Sequence, residues 1–188
     1  MKLADGISIA NRIAAELHGL ALKSDLRSRT AAACFAVAQQ HQSAILLLLH
    51  NQPPMHATAF ALLRPLVEAT NRGLWLSHCA DDEQIRNFVD PQRKQLDAAS
   101  VMIAIDRAVA CGSLGSHKTI YQKHWSALCA YTHTGEHQIQ RWMKTENVEP
   151  TYSAIEICEL ISLSTSLAEL ISCAVKALCS NQSERSKQ

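Results

Sequence analysis

The chain has 188 residues, 47% of them hydrophobic and 19% charged, with a formal net charge of +1. That supplies enough apolar material for one domain with a sizeable core, and too little positive charge to hold a long nucleic acid by phosphate neutralisation alone. Seven cysteines without a Cys-x-x-Cys pair argue against a disulfide framework and against a cysteine zinc knuckle. They read as reduced thiols filling helix interfaces in a cytoplasmic protein.

Few glycines and prolines among plentiful Ala, Leu, Gln, Glu and Lys favour helix. The opening residues carry no apolar run of the kind a signal peptide needs. Helix one is expected over Ile7 to Lys23, with Asp5 as N-cap and Ile9, Ile13, Leu17 and Leu20 inside. After a turn at Ser24 to Ser28, helix two runs from Arg29 to Asn51, alanine-rich first and leucine-rich later, until Pro53-Pro54 ends it.

The next stretch, Met55 to His78, organises the rest. Arg64, Glu68, Arg72 and Trp75 fall within about a quarter of a helix circumference, and nearly everything else around that helix is apolar. A helix greasy nearly all round is buried, so its charged stripe must be paired inside the fold or line a cleft. Pro65 removes one backbone donor and crowds the carbonyl of Ala61, which predicts a kink, or a break with a fresh start at Pro65.

Beyond it, Asp81-Asp82 caps a short helix with Ile85, Phe88 and Val89 as its apolar face and Pro91 as its boundary. Another helix is expected over Gln92 to Ala110, with Leu96, Ala99, Met102, Ile103, Ile105 and Val109 inside. Gly112 and Gly115 frame a loop, and Ser116 to Lys144 is mostly helical with an interruption at Thr134-Gly135. Thr151 or Ser153 caps the last helix, over Ile155 to Cys179, whose seam is Ile157, Leu160, Ser164, Leu167, Ile171, Ala174 and Leu178. Residues 181–188 form a polar tail. Two segments approach membrane-spanning length, Ala31 to His50 and Ile155 to Cys179. Glutamines interrupt the first, and acids with a lysine cross the second, each such charge costing roughly 2.5–3.5 kcal/mol at a bilayer centre. Both read as core helices, with no membrane partner.

Three constellations carry candidate chemistry. In Arg64-x3-Glu68-x3-Arg72 a carboxylate lies between two guanidiniums, either as an internal ion-pair ladder or as a pocket floor with one arginine left for phosphate or carboxylate. The histidines at 117, 124, 133 and 137 include His133-Thr-Gly-Glu136-His137, which has the H-x-x-E-H spacing of a zinc peptidase helix. Gly135 inside it and the want of a third ligand argue against a metal, and neither metal nor cofactor is expected. Last, Arg72-x5-His78 places an arginine and a histidine at a spacing that Arg12-x5-His18 repeats.

The Arg72-x5-His78 spacing resembles the signature of HEPN-class RNA-cleaving helical domains, where the pair comes together from two subunits to hold a scissile phosphate and move protons. More broadly, RPLVEATNRGLWL (Arg64 to Leu76) with WSALCAYTHTG (Trp125 to Gly135) resembles uncharacterised bacterial all-helical domains, over residues 30–180. The resemblance implies that Arg64, Glu68, Arg72, Tyr131 and His133 gather in one place. It also implies that His133 ends a helix and Gly135 makes the turn, which competes with an unbroken H-x-x-E-H helix.

The expectation is therefore an all-α bundle of six to seven helices around a kinked central helix, forming a homodimer through apolar surface on its second and last helices. Its leading function is that of a HEPN-like, metal-independent RNase of defence or toxin type. In that reading Arg72, His133 or His78 is catalytic, and Arg64, Glu68, Trp75, Tyr131 and His137 bind the ligand, with RNA as partner. The alternative is a non-catalytic helical module that docks a protein partner and uses the same cluster structurally.

Overall fold

The computed structural model describes residues 1–109, 117–143 and 146–179. They fold as an all-α bundle: α1 (Leu3–Leu17), α2 (Leu26–His50), α3 (His56–Ala61), α4 (Leu63–His78), α5 (Asp82–Val89), α6 (Ala98–Val109), α7 (His117–Thr132), α8 (Glu136–Gln140) and α9 (Ala154–Leu178). Among the described residues no strand forms, only isolated bridges between Leu22 and Cys179 and between Met143 and Val148. The Gly112–Gly115 loop, the side chains of Val109, His117 and His124, and the tail 181–188 lie outside the described residues.

The bundle is built on α2 against α4. Phe35, Ala38, Ile45 and Leu46 bury the inner side of α2, while Leu66, Thr70, Gly73 and Leu76 bury that of α4. At the crossing the Phe35 ring lies directly on Gly73: a β-carbon added there would sit 2.5 Å from the ring. Glycine lets the two helices approach this closely. Arg27, the second residue of α2, then donates to the carbonyls of Leu76 (3.1 Å) and Ala80 (2.5 Å) and pairs with Asp82 at 2.9 Å. A cation on those late carbonyls complements the negative end of the α4 dipole.

The last helix lies across α1 and α2 and keeps its expected seam, with Leu160, Ser164, Ile171 and Leu178 buried. Its N-terminus is a capping box in which Ser153 and Glu156 exchange side-chain bonds to each other's backbone N–H. Asp81 and Gln84 do the same for α5. By length and composition α2 and α9 could each cross a membrane, and their apolar inner faces are packed in this core.

Several boundaries depart from the sequence reading. More helices form than the expected six or seven, because the segment from Met55 to His78 divides and α8 separates from α7. α1 starts at Leu3, so Asp5 lies inside its first turn and accepts the Lys2 backbone N–H at 3.1 Å. The helix stops at Leu17, just before Gly19 takes a positive φ of 75°. α6 begins at Ala98, where Asp97 accepts from the Ser100 N–H at 2.7 Å. That shifts its buried stripe to Val101, Met102 and Ile105, and leaves Leu96 and Ile103 exposed.

The crossing gives a direct test. In Gly73→Ala, helix propensity would favour alanine by about 1 kcal/mol, but overpacking a fully buried ring costs about 1–3 kcal/mol. We expect a net loss of stability in urea denaturation, relieved when Phe35→Leu is added. An unchanged midpoint for Gly73→Ala would show that the ring swings aside freely.

Candidate functional site

Pro65 stands third in α4, within the first turn, where backbone N–H groups have no intrahelical acceptor in any case. The interruption falls at Leu62, three residues before the expected break at Pro65, since the ring crowds the preceding turn. Leu62 keeps helical angles, and its N–H reaches the Thr58 carbonyl at 3.1 Å, so α3 and α4 form a kinked pair. The carbonyl of Ala61, deprived of the donor Pro65 lacks, is met by the Thr132 hydroxyl at 3.1 Å. That hydroxyl also lies 2.9 Å from the Leu128 carbonyl. The proline kink is thereby tied to the last turn of α7.

One residue on, His133 leaves the helix. Thr134 takes the left-handed conformation (φ 55°), and Gly135 returns its N–H to Ala130 at 2.7 Å. This closes α7 as a Schellman-type turn. The left-handed residue is thus Thr134 and not Gly135. Glycine is required at 135 because a β-carbon would lie 2.9 Å from the Ala130 Cα. The turn also dismantles H-x-x-E-H as a helical motif, since His133 lies beyond α7 while Glu136 and His137 belong to α8. Among the described residues, no three His, Cys, Asp or Glu side chains come together in a way that would hold a metal.

The turn delivers His133 to Arg64. Arg64 Nη1 lies 2.5 Å from His133 Nε2, Arg64 Nε donates to Glu68 at 2.7 Å, and the guanidinium covers the Trp125 ring at 4.7 Å. A guanidinium only donates, so Nε2 accepts. An accepting Nε2 corresponds to the tautomer that carries its hydrogen on Nδ1. Arg64 and Glu68 each retain about a fifth of their side-chain exposure (21% and 22%), and His133 is exposed. The result is a cation, a carboxylate and an imidazole open to solvent, drawn from two elements far apart in sequence.

Not all the expected residues join them. Among the described residues Glu68 pairs with Arg64 and not with Arg72, leaving the ladder incomplete. Arg72, two turns on, lines a cleft of about 350 Å³ between α2 and α4 with Cys34, His41, Glu68 and Phe88. Among the described residues it makes no hydrogen bond or ion pair. His78 lines a different cavity, of about 570 Å³, against α6 and α9. Arg72 and His78 therefore do not meet within one chain, because α4 stays regular to its end. Trp75 is 4% exposed, and although it lies in the middle of the charged stripe, α5 covers it, with the Phe88 ring 6.1 Å away. It belongs to the core.

Tyr131 turns away from Arg64, toward Phe60 (5.2 Å between rings) and His137 (6.2 Å). Tyr152 completes this aromatic patch and donates its hydroxyl to Gln138, whose amide in turn donates to the Ala57 carbonyl at 3.0 Å. Arg141, paired with Glu156, closes its edge. Tyr131 and His137 thus join α8 to α7 and α3, and stand outside the Arg64 cluster.

Sequence reasoning overlooked His41, Cys34 and Trp125. The first two share a face of α2 with Thr30 and Val37 at helical spacing, but the stripe has meaning only once α4 is known to lie beside it.

Residues 35–187 match the model of a family of unknown function, DUF6988, and the chain belongs to that family. No curated protein matches the chain, nor does any solved structure.

The tie between Pro65 and Thr132 predicts that Thr132→Val costs about 1–3 kcal/mol, the cost of leaving a carbonyl unsatisfied. Pro65→Ala restores a backbone donor for Ala61, so the Thr132→Val loss should shrink in that background. A double-mutant cycle by chemical denaturation measures the coupling. Strict additivity would mean that the hydroxyl serves Leu128 alone.

Proposed function

We propose that the chain is a HEPN-like, nucleic-acid-acting effector, a metal-independent RNase of defence or toxin type, with Arg64, Glu68 and His133 as its reactive group. The observation that carries this reading is the direct contact between the Arg64 guanidinium and His133 Nε2 at a solvent-open position. A guanidinium beside an imidazole supplies two groups that metal-free cleavage of a phosphodiester can use: one to hold the phosphate and one to take a proton.

The chemistry follows from the two ring nitrogens. An incoming phosphate oxygen takes over as the acceptor of the Arg64 Nη1 hydrogen bond, the guanidinium keeping its proton, and this frees His133 Nε2. That nitrogen then accepts the proton of the ribose 2′-hydroxyl as its oxygen attacks phosphorus. The bond to the 5′-oxygen breaks, solvent or a second histidine protonates the leaving oxygen, and a 2′,3′-cyclic phosphate remains. Glu68 keeps Arg64 aimed through Nε, and Trp125 offers its face to the guanidinium. Exposed Leu47, Ile155 and Leu163 supply apolar surface for pairing of two copies, which would bring a second set of groups to the RNA.

A second reading is favoured by the same contacts: Arg64 is engaged on every side, as a structural cluster in a protein-docking module would be. The two separate in one experiment. With purified protein and single-stranded RNA, the RNase reading expects cleavage that survives chelator. It falls about a hundredfold or more in His133→Ala, with the denaturation midpoint nearly unchanged because His133 is exposed. A structural cluster expects no cleavage at all, together with a loss of several kcal/mol in Arg64→Ala, which strands the Glu68 carboxylate.

A further inference from the structure

The groove beside Arg72 has a composition unlike that of the Arg64 cluster. Phe88, Val37, Pro65 and Ala69 make its walls apolar, and Arg72 is the cation in its lining. The other polar groups there do not neutralise it. Glu68 is bonded to Arg64, and the Thr30 hydroxyl is donated to the Leu26 carbonyl at 2.7 Å. Burial pushes the Cys34 thiol up despite the neighbouring guanidinium, so it remains protonated. Burial also pushes the His41 imidazole below its ordinary value, so it adds no positive charge at neutral pH. A half-buried guanidinium thus faces an oily cleft, with no anion paired to it among the described residues.

From this we infer that the α2–α4 groove binds a small amphipathic monoanion: a carboxylate held by Arg72, with an apolar or aromatic body against Phe88 and Val37. Among the described residues Arg72 has no ion pair, and its single charge matches one negative charge. The Glu68 carboxylate on the same wall disfavours a second, which selects a carboxylate over a phosphate dianion or a polyphosphate. The cavity, about 350 Å³, lies at the small end of ligand clefts (roughly 300–1,000 Å³), so it fits a single ring or a short chain. This site does not depend on RNA cleavage, because Arg72 stands about 12 Å along the helix from Arg64.

Titration of the full chain by NMR or calorimetry tests it, with benzoate as the probe. Benzamide, phenyl phosphate and inorganic phosphate serve as comparisons. Benzoate should bind, and benzamide, the neutral isostere, should not. Arg72→Gln should weaken benzoate by about tenfold or more, the usual worth of a charge-assisted bond. Val37→Trp, which fills the groove from an exposed position and leaves Arg72 in place, should weaken it as well. His133→Ala should leave benzoate binding unaltered, which keeps this inference separate from the fate of the RNase reading. Equal binding of benzamide, full binding by a folded Arg72→Gln variant, or preference for phenyl phosphate over benzoate would each overturn it.

Discussion

The placement of Phe35 on Gly73 governs how the two longest-buried faces of the molecule meet. Seating a ring where another residue would carry its β-carbon fixes both helices at once, in translation and in rotation about their axes. Cys34 and Arg72 each directly precede one of these residues, and so lie about 100° around their own helices from the contact. Once the ring is seated, both open onto the same flank, with His41 two turns further along α2. The charged groove is a geometric consequence of the core contact beside it. Gly73 is accounted for by this packing.

A second constraint works through the backbone. Proline within the first turn of α4 does no harm to the helix that follows, but it leaves the turn before it with a carbonyl in need of a donor. Thr132 supplies that donor from the end of α7, and the chain then reverses at Thr134 and Gly135. Because His133 lies between the hydroxyl and the reversal, its ring has little choice of position. The imidazole reaches Arg64 because Arg64 directly precedes the proline that created the need. Kink, cap and contact are successive consequences of one missing N–H.

Much of this was legible in the residues. The period of the apolar positions places α2 and α9, the pairs Asp81–Gln84 and Ser153–Glu156 mark two helix starts, and Pro65 announces an irregularity near Leu62. The family resemblance implied that Arg64, Glu68, Arg72, Tyr131 and His133 gather, and of these Arg64, Glu68 and His133 meet. What local pattern could not show was which element covers which. Trp75 shares the angular sector of the charged residues, yet α5 lies over it. Tyr131 lies in the last turn of α7 and faces Phe60, while His133 lies just beyond the helix end and reaches Arg64, so a motif that contains both does not bring both to one site. Arg27 carries no signal of its role at all, because the carbonyls it caps belong to a helix some fifty residues later. His41 reads as an interruption in a greasy helix until its neighbour is known.

The two arginines of the central helix make the final point. Spaced eight apart on one stripe, they look equivalent in sequence, and pairing statistics would assign both to the intervening glutamate. The fold treats them differently. Arg64 has a carboxylate, an imidazole and an indole face within reach, so its partial burial is compensated by specific partners. Arg72 is partly withdrawn from water with no compensating anion among the described residues, which by itself lowers stability. Nothing in the packing of α2 on α4 needs a charge at that position: a methionine would span the same depth and cover the same walls. A cation kept where the core gains nothing from it answers to something outside the core, and the groove's oily walls limit that partner to a molecule with one charged end.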